Sequence, residues 1–202
     1  MSFNLSRRCV LMGMTAISLA ALPALPALAA PFTEDTIVGD ENAPVTVIEY
    51  ISYTCPACAG FHNNVWPDIK KAYVDTGKVK FIFRGFYRNT VDLDVGVVAR
   101  CGGEKGYYPL THAYLSTQPI WTRAPDVTHA IKQIAKRAGM PGAKLDACLA
   151  DMEFKTKLVE NFRDHAAEHG VNATPSFVID GKTHSGGMSF EDFSDLVDGL
   201  LS

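Results

Sequence analysis

The sequence predicts an α/β chain in which a block of helices interrupts a framework of strands and helices. Three observations carry this. Runs rich in β-branched and aromatic residues recur at 45–52, 79–86 and 172–180, each the length of a short strand. Apolar residues at helical spacing follow the first of them. Between about 90 and 152 the strand pattern disappears and helical stretches take over. A length of 202 residues suits one domain, or one domain carrying an insertion.

In chain order, the first thirty residues stand apart. They contain no acidic residue, and Arg7-Arg8 precede an apolar run from Cys9 to about Leu22. Ala27-Leu28-Ala29 supplies small residues at a signal-peptidase spacing. The run is short for a membrane span, and Pro23 and Pro26 interrupt its end. A cleaved signal over 1–29 is therefore expected, with export to the periplasm. Ser6-Arg7-Arg8 also resembles a twin-arginine motif, and the sequence leaves the route open.

A polar lead, 33–41, enters the strand 45–52, which runs directly into Cys55-Pro56-Ala57-Cys58. Cys58, Phe61, Val65, Ile69 and Tyr73 then recur at helical spacing to about Val74. Pro56 suits a first helical turn, where an amide hydrogen would lack a partner anyway. Gly77 closes the helix. After the strand 79–86, helices are expected over 92–100, 108–116, 127–138 and 142–150, with Pro109, Pro119, Pro125 and Pro141 at their ends or connections. A longer helix covers about 153–168. Asp180-Gly181 marks a hairpin turn, His184 lies on the return strand, and Ser189 caps a final helix.

The hydrophobic fraction of 47% allows a sizeable core. A net charge of -3, without any long basic run, argues against nucleic acid as a partner. Removing the signal takes Cys9 with it and leaves Cys55, Cys58, Cys101 and Cys148. An even count in an oxidising compartment suggests pairing.

The chemistry concentrates at Cys55 and Cys58. The thiolate is the reactive form of cysteine. At a helix start, unpaired N–H groups and the positive dipole end favour an anion. Cys55 is thus the candidate attacking sulfur, and Cys58, one turn on, the resolving one, in exchange through a mixed disulfide. Zinc would need two more ligands at knuckle spacing, and covalent haem would need histidine where Ala59 stands. A purely structural disulfide would leave the helix-start placement unexplained. No metal and no organic cofactor are assigned. His62 can approach the site or simply pack, and Phe61, Trp66 and Tyr73 read as core or rim aromatics. Thr174-Pro175 introduces the strand after it and can be cis or trans.

Glu49-Tyr-Ile-Ser-Tyr-Thr-Cys-Pro-Ala-Cys58 with Phe61-His62, and Ala173-Thr-Pro-Ser-Phe-Val-Ile-Asp-Gly181, resemble the active-site region and cis-proline loop of DsbA-like thiol–disulfide oxidoreductases. These belong to the thioredoxin superfamily, and the resemblance is nearest to an alphaproteobacterial-type branch. It implies a thioredoxin fold (30–90 and 153–202) with an inserted all-helical domain (91–152). It implies Cys55 as nucleophile, Cys58 as partner, and Glu49 as a buried acid that accepts a proton from Cys58. Thr174, Pro175, Pro56 and Ala57 would meet substrate, and Cys101 and Cys148 would form a structural disulfide. The implied partners are unfolded or reduced exported proteins and a DsbB-like membrane quinone reductase, with the protein acting as a monomer. Ala57 departs from the family's common Cys-Pro-His-Cys, which implies a weaker oxidant. An isomerase or reductase, or a secreted chaperone-like module with a structural disulfide, are the competing readings. Only about fifteen residues lie between Ala30 and the first expected strand, which speaks against an isomerase's added dimerisation domain.

Overall fold

A computed structural model describes residues 32–202; the expected signal segment lies outside the described residues. Five strands form one mixed sheet in the order β1-β3-β2-β4-β5. They are β1 (Ile37–Val38), β2 (Val45–Ile51), β3 (Val79–Gly85), β4 (Ser176–Ile179) and β5 (Lys182–Ser185). β2 and β3 run parallel, with Val45 opposite Val79 and Ile51 opposite Gly85. All other neighbours are antiparallel. β1 falls inside the lead that reads as polar coil. It is a strand because β3 offers it an edge, Ile37 opposite Ile82, and the local sequence carries no sign of that partner. β4 turns into β5 through Asp180 and Gly181, whose φ of 49° and 72° suit a two-residue hairpin.

Side chains alternate across β2. Val45, Val47 and Ile51 join the main core, and Glu49 shares their face by the same period. Tyr50 points the other way, into a smaller core with Ala166, Val171 and Val178.

The crossover from β2 to β3 is α1 (Pro56–Asn64), α2 (Trp66–Ile69) and a π-helical turn (Lys70–Val74). The sequence predicts one continuous helix here. The chain instead breaks at Val65, with φ -118°. Pro67 has no amide hydrogen, and its ring would meet the carbonyl of Asn63 one turn back, so an α-helix cannot run through it unchanged. Phe61, Trp66, Ile69, Tyr73 and Val74 nevertheless all remain buried.

After β3 come α3 (Thr90–Cys101), α4 (Glu104–Ser116), α5 (Gln118–Trp121), α6 (Val127–Arg137) and α7 (Gly142–Ala150). α8 (Met152–Glu168) leads back to β4, and α9 (Phe190–Leu201) follows β5. Asn89, Asp126, Asp151 and Ser189 cap α3, α6, α8 and α9 through side-chain oxygens. Two features depart from expectation. Pro109 lies inside α4, not at its edge. The Lys105 carbonyl that loses its partner belongs to an exposed residue, so water can serve it. The single-turn α5 carries no periodic signal of its own. A disulfide, Cys101–Cys148, ties α3 to α7 with Cα atoms 6.4 Å apart. Among the described residues no helix is long and apolar enough to cross a membrane.

Candidate active site

β2 ends at Ile51, and a tight turn delivers Cys55 to the N-cap of α1, with φ -80° and ψ 118°. The Cys55 N–H donates to the Ser52 carbonyl at 3.1 Å, and the Cys55 carbonyl accepts from Ala59 N–H at 3.2 Å. Pro56 opens the helix, so the first free amides facing the sulfur are those of Ala57 and Cys58. Pro56 and Ala57 are exposed. Cys55 retains 5% exposure while Cys58 has 0%, and both thiols are free.

The two sulfurs are driven in opposite directions. The Cys58 thiol donates to Cys55 and holds its pKa down to about 4, against the opposing effect of burial. The backbone amides of Cys58 and Ala57 and the Thr174 side chain add to the lowering. Cys58 is pushed far above the ordinary thiol range by that same bond, by burial and by the charge of Glu49. Glu49 is fully buried, and neither carboxyl oxygen has a hydrogen-bond partner among the described residues. Burial raises its pKa well above the usual carboxylate value.

From the far end of the chain, the Thr174–Pro175 peptide is cis and immediately precedes β4. The Thr174 carbonyl accepts the Cys55 thiol at 3.4 Å. The Thr174 hydroxyl is buried without another partner, so its hydrogen is free to turn toward a thiolate.

Sequence reasoning missed the groups that hold the turn. Asp92, buried in the first turn of α3, accepts from Ser52 Oγ at 3.0 Å, Thr54 N–H at 2.8 Å and Arg88 N–H at 3.2 Å. In the sequence Asp92 only begins a stretch expected to be helical, and nothing local marks its use by the turn. Gln118 Nε2 donates to the carbonyls of Tyr53 and Cys55, and no sequence signal marked it. Tyr53 Oη lies 3.2 Å from Thr111 Oγ1 on α4. His62 does not reach the sulfurs through any hydrogen bond. It is buried, and its Nε2 meets His112 Nδ1 at 2.7 Å; burial, with the nearby His112, lowers its pKa to about 3. No group of three or more His, Cys, Asp or Glu residues among the described residues is placed to hold a metal ion.

A dithiol at the start of the helix that follows a central strand, faced by a cis-proline loop, defines a redox site of the thioredoxin type. A family model described as Thioredoxin matches residues 33–199. The crystal structure of Wolbachia pipientis alpha-DsbA1 superposes with a TM-score of 0.76 at 30% identity, covering 86% of this chain and 94% of that one. BdbD from Bacillus subtilis superposes with a TM-score of 0.74, covering 83% of this chain and 92% of that one, at 22% identity, which speaks to fold alone. A Rickettsia felis protein, provisionally named a protein-disulfide oxidoreductase, is 31% identical over 168 residues, 83% of this chain and 60% of that relative. Across such rickettsial relatives the chain spans 57% to 66% of their length. The chain belongs to the DsbA-like branch of the thioredoxin family, with a helical insertion between β3 and the return to β4.

Proposed function

We propose that this protein is a periplasmic thiol–disulfide oxidoreductase that introduces disulfides into exported proteins. The observation that carries the reading is the opposite perturbation of two adjacent sulfurs, Cys55 down and Cys58 up. In the oxidised form a substrate thiolate attacks Cys55 Sγ. The Cys55–Cys58 bond breaks, a mixed disulfide forms, and the electron pair leaves on Cys58. Cys58 takes a proton, for which the buried Glu49 carboxyl is the supplying group, and in the reverse direction Glu49 accepts it. A second substrate thiolate then attacks the substrate sulfur of the mixed disulfide. The substrate disulfide closes, and Cys55 leaves as a thiolate. A low thiol pKa makes Cys55 a good leaving group and stabilises the reduced form, which drives electrons from substrate to this protein.

Thr174, Pro175, Pro56 and Ala57 form the rim that a substrate chain meets, with the Thr174 backbone offering hydrogen bonds. Reoxidation falls to a DsbB-like membrane quinone reductase. Export rests on the pattern of residues 1–29, with cleavage near Ala29. The Cys101–Cys148 disulfide suits an oxidising compartment. The protein works as a monomer, with 91–152 as the inserted helical domain and 30–90 plus 153–202 as the thioredoxin-like part. Ala57 lacks the polar, positive help of a histidine, so the oxidant is weaker than Cys-Pro-His-Cys relatives.

The deciding experiment uses a reduced, unfolded substrate. Cys55→Ser should abolish its oxidation. Cys58→Ser, given the disulfide-bonded form of the same substrate, should be trapped as a mixed disulfide: Cys55 attacks the substrate disulfide, one substrate thiolate leaves, and no Cys58 is present to release the other. Full oxidation by Cys55→Ser would end this reading in favour of a binding module with a structural disulfide.

A further inference from the structure

Gln118 sits where two carbonyls of the active-site turn converge. Its Nε2 donates to the Cys55 carbonyl at 2.7 Å and to the Tyr53 carbonyl at 3.0 Å. Both partners only accept, so the side chain must present its amide nitrogen, which carries exactly the two hydrogens required. Gln118 is 4% exposed and is the first residue of α5. α5 is itself anchored by Trp121, whose Nε1–H donates to the Tyr114 carbonyl at 2.7 Å. A rigid contact therefore runs from the helical insertion to the peptide of the candidate nucleophile.

Backbone geometry gives that contact its consequence. The direction of the Cys55 carbonyl is set by ψ of Cys55, and that angle also sets how the residue enters α1. It therefore governs how the sulfur lies against the amides of Ala57 and Cys58. Ala59 N–H holds the carbonyl from within the helix at 3.2 Å. Gln118 holds it from outside, where the helix offers no donor. It also offsets the partial negative charge of two carbonyl oxygens of the active-site turn.

We propose that Gln118 is a positioning residue for Cys55: its amide locks the Cys55–Pro56 peptide plane so that the sulfur faces the amides at the start of α1. This rests on Cys55 being the attacking thiolate.

The test is the pH dependence of Cys55 alkylation by iodoacetamide in the reduced protein, with the modified residue identified by peptide mass. Wild type is compared with Gln118→Met, which keeps the length and loses the donor, and Gln118→Asn, which keeps the donor one bond short. Wild type should show a midpoint near 4. Gln118→Met should move it up by about one pH unit or more, which is roughly tenfold less thiolate below both midpoints. Gln118→Asn should fall between. A role in packing alone would lower the melting temperature and leave the midpoint in place. Variants that coincide with a low wild-type midpoint overturn the Gln118 inference alone. A wild-type midpoint in the ordinary thiol range overturns the thiolate reading itself. Should Gln118→Met not fold, the shift or its absence in Gln118→Asn decides.

Discussion

The Thr174 carbonyl lies 3.4 Å from Cys55 Sγ, across 119 residues of sequence. The Thr174 hydroxyl is buried without a hydrogen-bond partner, and the Thr174 side chain is among the groups that lower the Cys55 pKa. The site is thus assembled from two distant segments, and neither reaches this geometry alone.

The Cys55 pKa, about 4 when folded, rises to about 8.5 in an unfolded chain. A lowered pKa contributes stability that is present in full above the unfolded value and is lost as pH falls through the folded one. The oxidised protein has no such thiol. The melting temperature of the reduced form, measured against the oxidised form, should therefore drop as pH falls from 8 to 4. A constant difference across that range would contradict the lowered thiol.

Glu49 behaves with the opposite sign. Its raised pKa means that ionisation favours the unfolded chain, a penalty that grows as pH rises above the ordinary carboxylate range. Glu49→Gln should then be more stable than wild type at pH 7, with the gain fading in acid. It should also slow disulfide exchange by about a hundredfold, the low end of general acid–base contributions. Chemical denaturation at two pH values and stopped-flow exchange measure the two effects.

Asp92 holds the turn before Cys55 through one hydroxyl and two backbone amides. Asp92→Ala leaves those buried donors unmatched and should cost about 3 kcal/mol. Urea unfolding would show it as a lower midpoint at unchanged slope.

Removing the Cys101–Cys148 disulfide frees a loop with a sequence separation of 47. The double change to alanine should cost about 4 kcal/mol in the chain-entropy model. Cys55 alkylation should keep its pH midpoint, because the disulfide lies on α3 and α7 and supplies no contact to the sulfur. Calorimetry and the alkylation profile together separate the two roles.

Ala57→His should make the protein more oxidising. Each tenfold change in its equilibrium with glutathione corresponds to about 30 mV. Equal equilibria for the two forms would remove Ala57 from the account of redox strength.

Local sequence determined a good deal here. β-branched runs placed β2, β3 and β4, and Asp180-Gly181 placed the hairpin. Pro56 after a strand set Cys55 at a helix start, because these signals act within a few residues of themselves. The tertiary structure decided what depends on a distant partner. β1 exists because β3 has a free edge, and the helix after Cys55 breaks because Pro67 cannot continue it inside a packed crossover. Asp92 reads locally only as the start of a helix, and Gln118 carries no local signal. Each acquires its place only when the helical insertion folds back over the turn, since a hydrogen bond across tens of residues leaves no periodic trace in the chain.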